Sequence, residues 1–235
     1  CLTAKKTGSI QCDGCDPGTY KNASSLGDCV QCSPGLYSDS QNSDICEQCP
    51  LGYYANDKAS ADGKVRFDVC PFCPRGTLGI KEQAKNFLQG CENCTSGRYN
   101  DQEGVYRVAG NFDCKGCPKG KWSTIIAAEK ESVCTNCIPG RYGFPYTGAE
   151  TETCCTECSK GRFSIKVGAF GVESCEKCPS GYVGNEEKGG STACNSVPPG
   201  FYTFNATAKV CERGHYCKGR TANQTACEPG RYASD

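Results

Sequence analysis

The sequence predicts a small disulfide-rich fold: an elongated tandem array of short, irregular β-hairpin repeats with little regular secondary structure and almost no helix. Cysteine supplies 24 of the 235 residues, a content that is typical of a disulfide scaffold. Leu, Ile, Val and Phe together supply only 33 residues, too few for an apolar core in a chain of this length. The net charge is zero, so the charge excess of a disordered chain is absent.

Nine Cys-x-x-Cys pairs divide the chain into short repeats. Most pairs are followed by x-x-Gly-x-aromatic, as in Cys32-Ser-Pro-Gly35-Leu-Tyr37. Pro presets φ at the first central position of a β-turn and Gly accepts a positive φ at the second, so a type II turn followed by a short extended segment is expected. The pairs occupy positions 12/15, 29/32, 46/49, 70/73, 91/94, 114/117, 134/137, 155/158 and 175/178.

The Cys-x-x-Cys pairs are compatible with disulfides or with four-thiolate zinc sites. Each four-thiolate zinc site would use two pairs, so nine pairs would leave one pair without a site. Each turn-and-aromatic unit also follows one pair rather than two. Four N-glycosylation sequons also indicate an oxidising, extracellular compartment. Their acceptor residues are Asn22, Asn93, Asn205 and Asn223. These observations favour disulfides.

A local ladder is the simplest disulfide pairing: the second cysteine of each pair bonds the first cysteine of the next. Each closed loop of about 15 residues contributes roughly 3 kcal/mol in the chain-entropy model. Connectivity does not follow from cysteine positions alone, so the ladder is a hypothesis. Cys137 has two candidate partners, Cys154 and Cys155, and we place Cys154 in the ladder. The other predicted bonds are Cys15–Cys29, Cys32–Cys46, Cys49–Cys70, Cys73–Cys91, Cys94–Cys114, Cys117–Cys134, Cys158–Cys175 and Cys178–Cys194.

The aromatic residue after each turn is expected to lie over a neighbouring disulfide, because contacts between sulfur and aromatic rings are favourable. Each ring would then form the miniature core of its repeat; ligand binding is the alternative role. Leu78 and Val183 replace the aromatic residue in two repeats, which are therefore expected to pack more loosely. The predicted core aromatics are Tyr20, Tyr37, Tyr54, Tyr99, Trp122, Tyr142, Phe163 and Tyr202.

The regular array is predicted to span residues 15–194, after an incomplete repeat at 1–14. Residues 195–210 form a degenerate repeat, since Val197 replaces its second cysteine, and 211–235 form a truncated variant repeat. Because the chain contains no Met and ends within a repeat, we interpret it as a piece of a longer protein. The pairing stays open for Cys1, Cys12, the spare member of Cys154/Cys155, Cys211, Cys217 and Cys227.

Composition argues against several functions. Basic and acidic residues balance at 26 each, so no cationic excess is available for nucleic acid. No stretch approaches the roughly 18 consecutive apolar residues of a membrane span. The single histidine, His215, has no partner in the sequence for catalysis or metal binding. We therefore predict no enzyme, no metal and no cofactor, with N-glycans as the covalent additions.

The motif Cys-x-x-Cys-x-x-Gly-x-Tyr with a later closing cysteine resembles the ephrin-receptor-like cysteine-rich repeats. It is also similar to the first module of tumour-necrosis-factor-receptor cysteine-rich domains, which the segment from Cys15 through Tyr20 to Cys29 matches. Such repeats occur in receptor ectodomains, matrix proteins, and surface or appendage proteins of algae and protists, including flagellar hair filaments (mastigonemes). The resemblance implies a module type and an extracellular location.

Two main functions are compatible with these observations. The leading hypothesis is an extracellular structural protein, secreted or at the cell surface: a glycosylated rod that assembles into or decorates a filament, a surface coat or a flagellar appendage. Its partners would be copies of itself or other extracellular proteins.

The alternative is a receptor-ectodomain module that binds a protein ligand through a patch such as Arg98-Tyr99, Arg141-Tyr142 or Phe144–Tyr146. A zinc-binding array is a remote third hypothesis. The spread of the motifs favours the structural one.

Overall fold

A computed structural model describes residues 13–23, 27–55, 70–108, 114–185 and 189–232. The fold class predicted from the sequence is confirmed: disulfides cross-link short two-stranded antiparallel hairpins, and helix is scarce. The described part contains one α-helix, α1 (Phe87–Gly90), and single 3-10 turns at Glu131–Val133, Glu152–Cys154 and Val172–Ser174. Cys1 and Cys12 lie outside the described residues.

We number the repeats 1 to 11 by their turn glycines, all of which have a positive φ: Gly18, Gly35, Gly52, Gly76, Gly97, Gly120, Gly140, Gly161, Gly181, Gly200 and Gly214. In repeat 3 the described pairing is a single bridge between Tyr53 and Phe72. The other ten repeats each form one hairpin: β1 (Thr19–Tyr20) with β2 (Val30–Gln31), β3 (Leu36–Tyr37) with β4 (Glu47–Gln48), β5 (Thr77–Gly79) with β6 (Cys91–Asn93), β7 (Arg98–Tyr99) with β8 (Lys115–Gly116), β9 (Lys121–Trp122) with β10 (Thr135–Asn136), β11 (Arg141–Tyr142) with β12 (Thr156–Glu157), β13 (Arg162–Phe163) with β14 (Glu176–Lys177), β15 (Tyr182–Val183) with β16 (Asn195–Ser196), β17 (Phe201–Phe204) with β18 (Thr207–Val210), and β19 (His215–Tyr216) with β20 (Thr225–Ala226).

The disulfides in the described residues are local. Nine of them close repeats 1 to 9, and a tenth joins Cys211 to Cys217 in repeat 11. The nine bonds are Cys15–Cys29, Cys32–Cys46, Cys49–Cys70, Cys73–Cys91, Cys94–Cys114, Cys117–Cys134, Cys137–Cys155, Cys158–Cys175 and Cys178–Cys194.

Placing Cys154 in the ladder is wrong, because the structure bonds Cys137 to Cys155 and leaves Cys154 free. The reason lies in the hairpin register. Thr156 of β12 pairs with Tyr142, the last residue of β11, so Cys155, directly before β12, lies just beyond the end of β11. Cys154 is the last residue of a 3-10 turn, one position too early.

Contacts divide the chain into two compact units. The first comprises Cys1–Lys115 and Ile125–Glu131, and the second comprises Gly116–Thr124 and Ser132–Asp235. The loop of repeat 6 thus belongs to the first unit, whereas its two strands belong to the second.

Within each unit, the loop of one repeat is hydrogen-bonded to the preceding repeat. A backbone N–H in the loop donates, at 2.8 to 3.0 Å, to the carbonyl of the residue that opens the preceding repeat, which is a cysteine in every pair but the last. Every donating residue has a left-handed φ, which turns the loop back. The donor and acceptor pairs are Asn42 and Cys15, Gln83 and Cys49, Gly104 and Cys73, and Ala127 and Cys94 in the first unit, then Gly148 and Cys117, Gly168 and Cys137, Gly190 and Cys158, and Arg220 and Val197 in the second.

A small residue follows most of these left-handed positions and is buried. Its carbonyl accepts a hydrogen bond from the backbone N–H of the preceding repeat, so the loop adds to that hairpin as a short third segment. The buried small residues are Ala84, Ala128, Ala149, Ala169 and Ser191. The repeats are therefore not independent hairpins, because the loops of most described repeats supply backbone partners to the repeat before them.

Disulfides form most of the core. Tyr37 is buried against the Cys49–Cys70 disulfide of the next repeat, and Trp122 packs on the cluster that contains Cys137 and Cys155. The expectation of loose packing at Leu78 and Val183 is wrong, because both side chains are buried. Leu78 contacts Cys94 and Cys114 of the following repeat, which shows that an aliphatic side chain can cover a disulfide as a ring does.

Val197 replaces the opening cysteine of repeat 10 but keeps the burial and the backbone hydrogen bonds of that position. Its side chain is buried, its N–H donates to the Gly181 carbonyl, and its carbonyl accepts from Arg220 N–H. An opening cysteine makes these same backbone bonds in other repeats. The substitution therefore removes a cross-link and keeps the backbone connection.

Candidate functional site

The four sequon asparagines are exposed: Asn22, Asn93, Asn205 and Asn223. Asn93 ends β6, directly before the buried Cys94. Asn205 lies with Ala206 in the two-residue turn between β17 and β18, where both residues have a positive φ. Two consecutive left-handed residues are typical of a type I′ hairpin turn, which presents the Asn205 side chain away from the strands.

The eight core aromatics predicted from the sequence are all at least partly covered. Tyr37 and Tyr99 are buried. The others are half-buried: Tyr20, Tyr54, Trp122, Tyr142, Phe163 and Tyr202. The rings are therefore partly enclosed by their own chain rather than fully presented to solvent.

The side chains of the three segments considered as ligand patches differ in what they contact. At Arg98-Tyr99, Tyr99 is buried and the Arg98 guanidinium donates to the Cys114 carbonyl at 3.0 Å. Arg141 is held by two carboxylates, with Nη1 3.3 Å from Glu152 Oε1 and Nη2 3.0 Å from Glu157 Oε1. Both guanidinium groups are therefore bound by groups of their own repeats.

Phe144 and Tyr146 form the exposed pair among these segments. Their rings are stacked, with centroids 4.9 Å apart and planes 15° apart, and the Tyr146 residue is 58% exposed. Stacking fixes both rings before any partner arrives, which lowers the entropy cost of binding through them. The pair is thus a candidate contact patch in the second unit.

Cys154 is a buried free thiol beside a disulfide. The Sγ atoms of Cys137, Cys154 and Cys155 all lie within 4.8 Å of one another, and the Sγ atoms of Cys154 and Cys155 are 3.8 Å apart. Burial raises the pKa of the Cys154 thiol, and the nearby Glu152 carboxylate adds to this, although backbone hydrogen bonding opposes it. Only a thiolate attacks a disulfide, so the raised pKa slows exchange at this cluster.

The same three cysteines are the one group with metal-ligand proximity among the residues that the structure describes. Two of their sulfurs are bonded to each other and offer no thiolate. In the described ranges the free cysteines are Cys154 and Cys227, so four-thiolate zinc sites are not formed there. His215 lies on β19, with Nδ1 3.3 Å from the Arg213 carbonyl.

No protein-family model matches the chain. Among curated proteins, the chain is similar to the mouse (Mus musculus) sushi, von Willebrand factor type A, EGF and pentraxin domain-containing protein 1, with 29% identity over 161 residues. The match covers 63% of this chain and 4% of that protein, so the chain corresponds to a small part of this much longer relative.

The chain is an extracellular-type, disulfide-rich repeat protein. Ten disulfides in the described residues point to an oxidising compartment, and the similarity to a curated multidomain protein agrees with that character. Among the helices of the described residues, none has the length and apolar content that crossing a bilayer requires.

Proposed function

We propose that the chain is a non-enzymatic structural part of an extracellular glycoprotein, built of ephrin-receptor-like repeats. In this proposal it assembles into or decorates a filament, a cell-surface coat or a flagellar appendage. Its contacts are made with copies of itself or with other extracellular proteins.

The connection of loops to the preceding repeat, found at eight loops of the described residues, is the observation that carries the proposal. Each of repeats 1 to 9 is closed by its own disulfide, and backbone bonds from loops such as those at Gly104 and Gly168 tie neighbouring repeats together. Such a scaffold resists local opening and proteolysis, which a load-carrying or protective extracellular element requires.

The distribution of exposed apolar side chains gives further support. They occur in both units rather than at one place: Ile45, Leu88 and Val108 in the first, and Tyr146, Ile165, Val167 and Val210 in the second, all exceed half exposure. Contacts repeated along an array would cover such dispersed side chains, whereas a single ligand patch would concentrate them.

The test is the assembly state of the glycosylated chain produced in a secretory host. Sedimentation velocity over increasing concentration and negative-stain electron microscopy are expected to show multimers that grow into ordered assemblies. In a variant with Ile165→Asp and Val167→Asp, growth is expected to weaken, while Lys166→Asp between them serves as the control. A monodisperse chain at every concentration, or equal effects of both variants, would contradict self-assembly.

The stacked Phe144–Tyr146 pair favours a second candidate function, a receptor-type module for a protein ligand. Photo-crosslinking of the chain to intact cells and their secreted proteins is then expected to yield one specific product. Tyr146→Ala should abolish that product, and Tyr106→Ala, at another exposed tyrosine, should leave it. A product that survives Tyr146→Ala would reject this candidate.

A further inference from the structure

A cationic cavity lies among repeats 8, 9 and 10 of the second unit. Its volume is about 330 Å³. Gly161 and Ala206 meet at one wall, since Ala206 Cβ occupies the space beside the Gly161 Cα. The lining includes three cations, Lys160, Arg162 and Lys177, with the polar groups of Ser180, Tyr182, Thr203 and Asn205, and it contains no Asp or Glu.

Two of the cations face each other across the hairpin. Arg162 of β13 is paired directly with Lys177 of β14, and like charges in directly opposed positions destabilise a sheet. The Arg162 guanidinium is held in place by donation from Nη1 to the Cys175 carbonyl at 2.7 Å. Among the described residues, no carboxylate lies within ion-pair distance of these two side chains.

Repeat 7 shows that the fold does not require this pair of cations. The equivalent positions there hold Arg141 and Glu157, which are paired in the same register and form an ion pair at 3.0 Å. Lys177 thus stands where the preceding hairpin has a carboxylate. Repeat 8 forms the same hairpin without an ion pair at these positions. Two adjacent positive charges therefore remain at the cavity.

We propose that this cavity binds the acidic group of an anionic sugar, a sulfate ester or a carboxylate, carried by an extracellular polysaccharide. A fixed guanidinium binds such groups through two parallel N–H donors, and the lysines add charge. The Ser180 hydroxyl and the half-buried Tyr182 ring, both in the lining, match the hydroxyls and the face of a sugar. The volume is at the small end of ligand pockets, which fits one sugar unit of a chain. The inference uses the extracellular character of the chain and is independent of self-assembly.

The test uses the full glycosylated chain from a secretory host, and compares it with the chain made without N-glycans in an oxidising bacterial periplasm, which shows whether a glycan at Asn205 covers the cavity. Binding is measured by fluorescence anisotropy with four labelled probes: a sulfated heparin hexasaccharide, its desulfated counterpart that keeps the carboxylates, neutral chitohexaose, and hexaglutamate. The sulfated or the desulfated acidic probe is expected to bind, with an affinity that falls as salt rises, and chitohexaose is not. The difference between the two acidic probes identifies sulfate or carboxylate as the recognised group.

Lys177→Glu is the decisive variant, because it recreates the charge pair of repeat 7. Loss of a charge-assisted contact and the added repulsion are expected to weaken binding by roughly tenfold or more, while the thermal unfolding temperature is maintained. Lys130→Glu makes the same charge change in the first unit and should leave affinity within about twofold, the size of a general electrostatic effect. If Lys177→Glu fails to fold, Lys160→Ala replaces it.

Three outcomes would overturn the proposal. Equal losses in Lys177→Glu and Lys130→Glu would show a general charge effect. Binding of chitohexaose as tight as that of the acidic probes would remove the role of the anion. Tighter binding of hexaglutamate than of either acidic sugar would identify an acidic peptide as the ligand. Since monomeric protein suffices for each measurement, these results do not depend on whether filaments form.

Discussion

The carbonyl oxygen of Gly168 lies against Gly120, in the space that a Cβ on Gly120 would occupy. Gly120 opens the first strand of repeat 6, and Gly168 lies in the loop of repeat 8. Gly120 also has a φ of 74°, a conformation that L side chains rarely adopt. The turn glycine is thus required twice, once by its own dihedral and once by a loop that comes two repeats later.

Gly120→Ala is expected to destabilise the second unit by about 2 to 4 kcal/mol, because backbone strain and overpacking add. Gly200→Ala is the matched control. Gly200 has a φ of 85°, but no atom of the described residues lies within 4 Å of the position that a Cβ would take there, so strain alone should cost about 1 to 2 kcal/mol. Thermal unfolding followed by near-ultraviolet circular dichroism measures both, and equal losses would show that the Gly168 carbonyl moves away without cost.

Cys155→Ser is expected to keep a disulfide at Cys137, because the free Cys154 sulfur is within 4.8 Å of both other sulfurs. Peptide mapping without reduction should then find Cys137 bonded to Cys154. Cys134→Ser is the comparison, since it leaves Cys117 with no spare thiol beside it and should cost about 2 to 5 kcal/mol. A free Cys137 thiol in Cys155→Ser would show that the 3-10 turn before Cys155 cannot adjust.

Slow alkylation of Cys154 in the folded chain is the third expectation. Burial raises the pKa of this thiol, so little reactive thiolate forms at neutral pH. Iodoacetamide should modify the partly exposed Cys227 first, and Cys154 only after unfolding. Rapid modification of Cys154 at neutral pH would contradict the buried position.

The raised pKa of Cys154 also predicts how stability depends on pH. The folded state binds the thiol proton more tightly than the unfolded state, in which the thiol has its ordinary pKa. The contribution to stability is therefore complete below that value and is lost as pH rises toward the folded pKa. Cys154→Ser should lack this part of the alkaline loss in a denaturant titration, and identical alkaline curves for the two proteins would reject the link.

Trp122 gives a spectroscopic check, because it is the one tryptophan in the chain. It packs on the cluster that contains Cys137, Cys155 and Ala149, and a disulfide in contact with an indole ring quenches its fluorescence. Reduction under mild conditions should raise Trp122 emission in step with loss of the Cys137–Cys155 bond, as followed by mass spectrometry. In Cys137→Ser with Cys155→Ser, emission should start high and respond little to reductant.

Several features of this fold could be predicted because they are local. The turn glycines carry a positive φ, as Pro34-Gly35 and Pro139-Gly140 indicate in the sequence. Short hairpins follow because the extended segment after the turn can return only to the next cysteine. Choosing between Cys154 and Cys155 needed the register of β11 against β12, which the doubled cysteine by itself does not specify.

The loop contacts were missed, although a signal was present in the sequence. The left-handed residue lies seven positions after the turn glycine in repeats 2, 4, 5, 6 and 8, and it is followed by a small residue in most of them. Its identity varies among Asn, Gln, Gly and Ala, so no single residue type marks it. These residues bond to a different repeat, and their role becomes visible only when that repeat is in place.

The sequence by itself determined the class of fold, the repeat and the extracellular character, because cysteine spacing, turn residues and composition act over short distances. Tertiary structure decided three further points: the free thiol at Cys154, the burial of Leu78 beside the next disulfide, and the meeting of Arg162 and Lys177 at a cavity. Each depends on strand register or on contact between repeats. Strand register and contacts between repeats determine which side chains lie close together, and the spacing of residues along the sequence does not specify them.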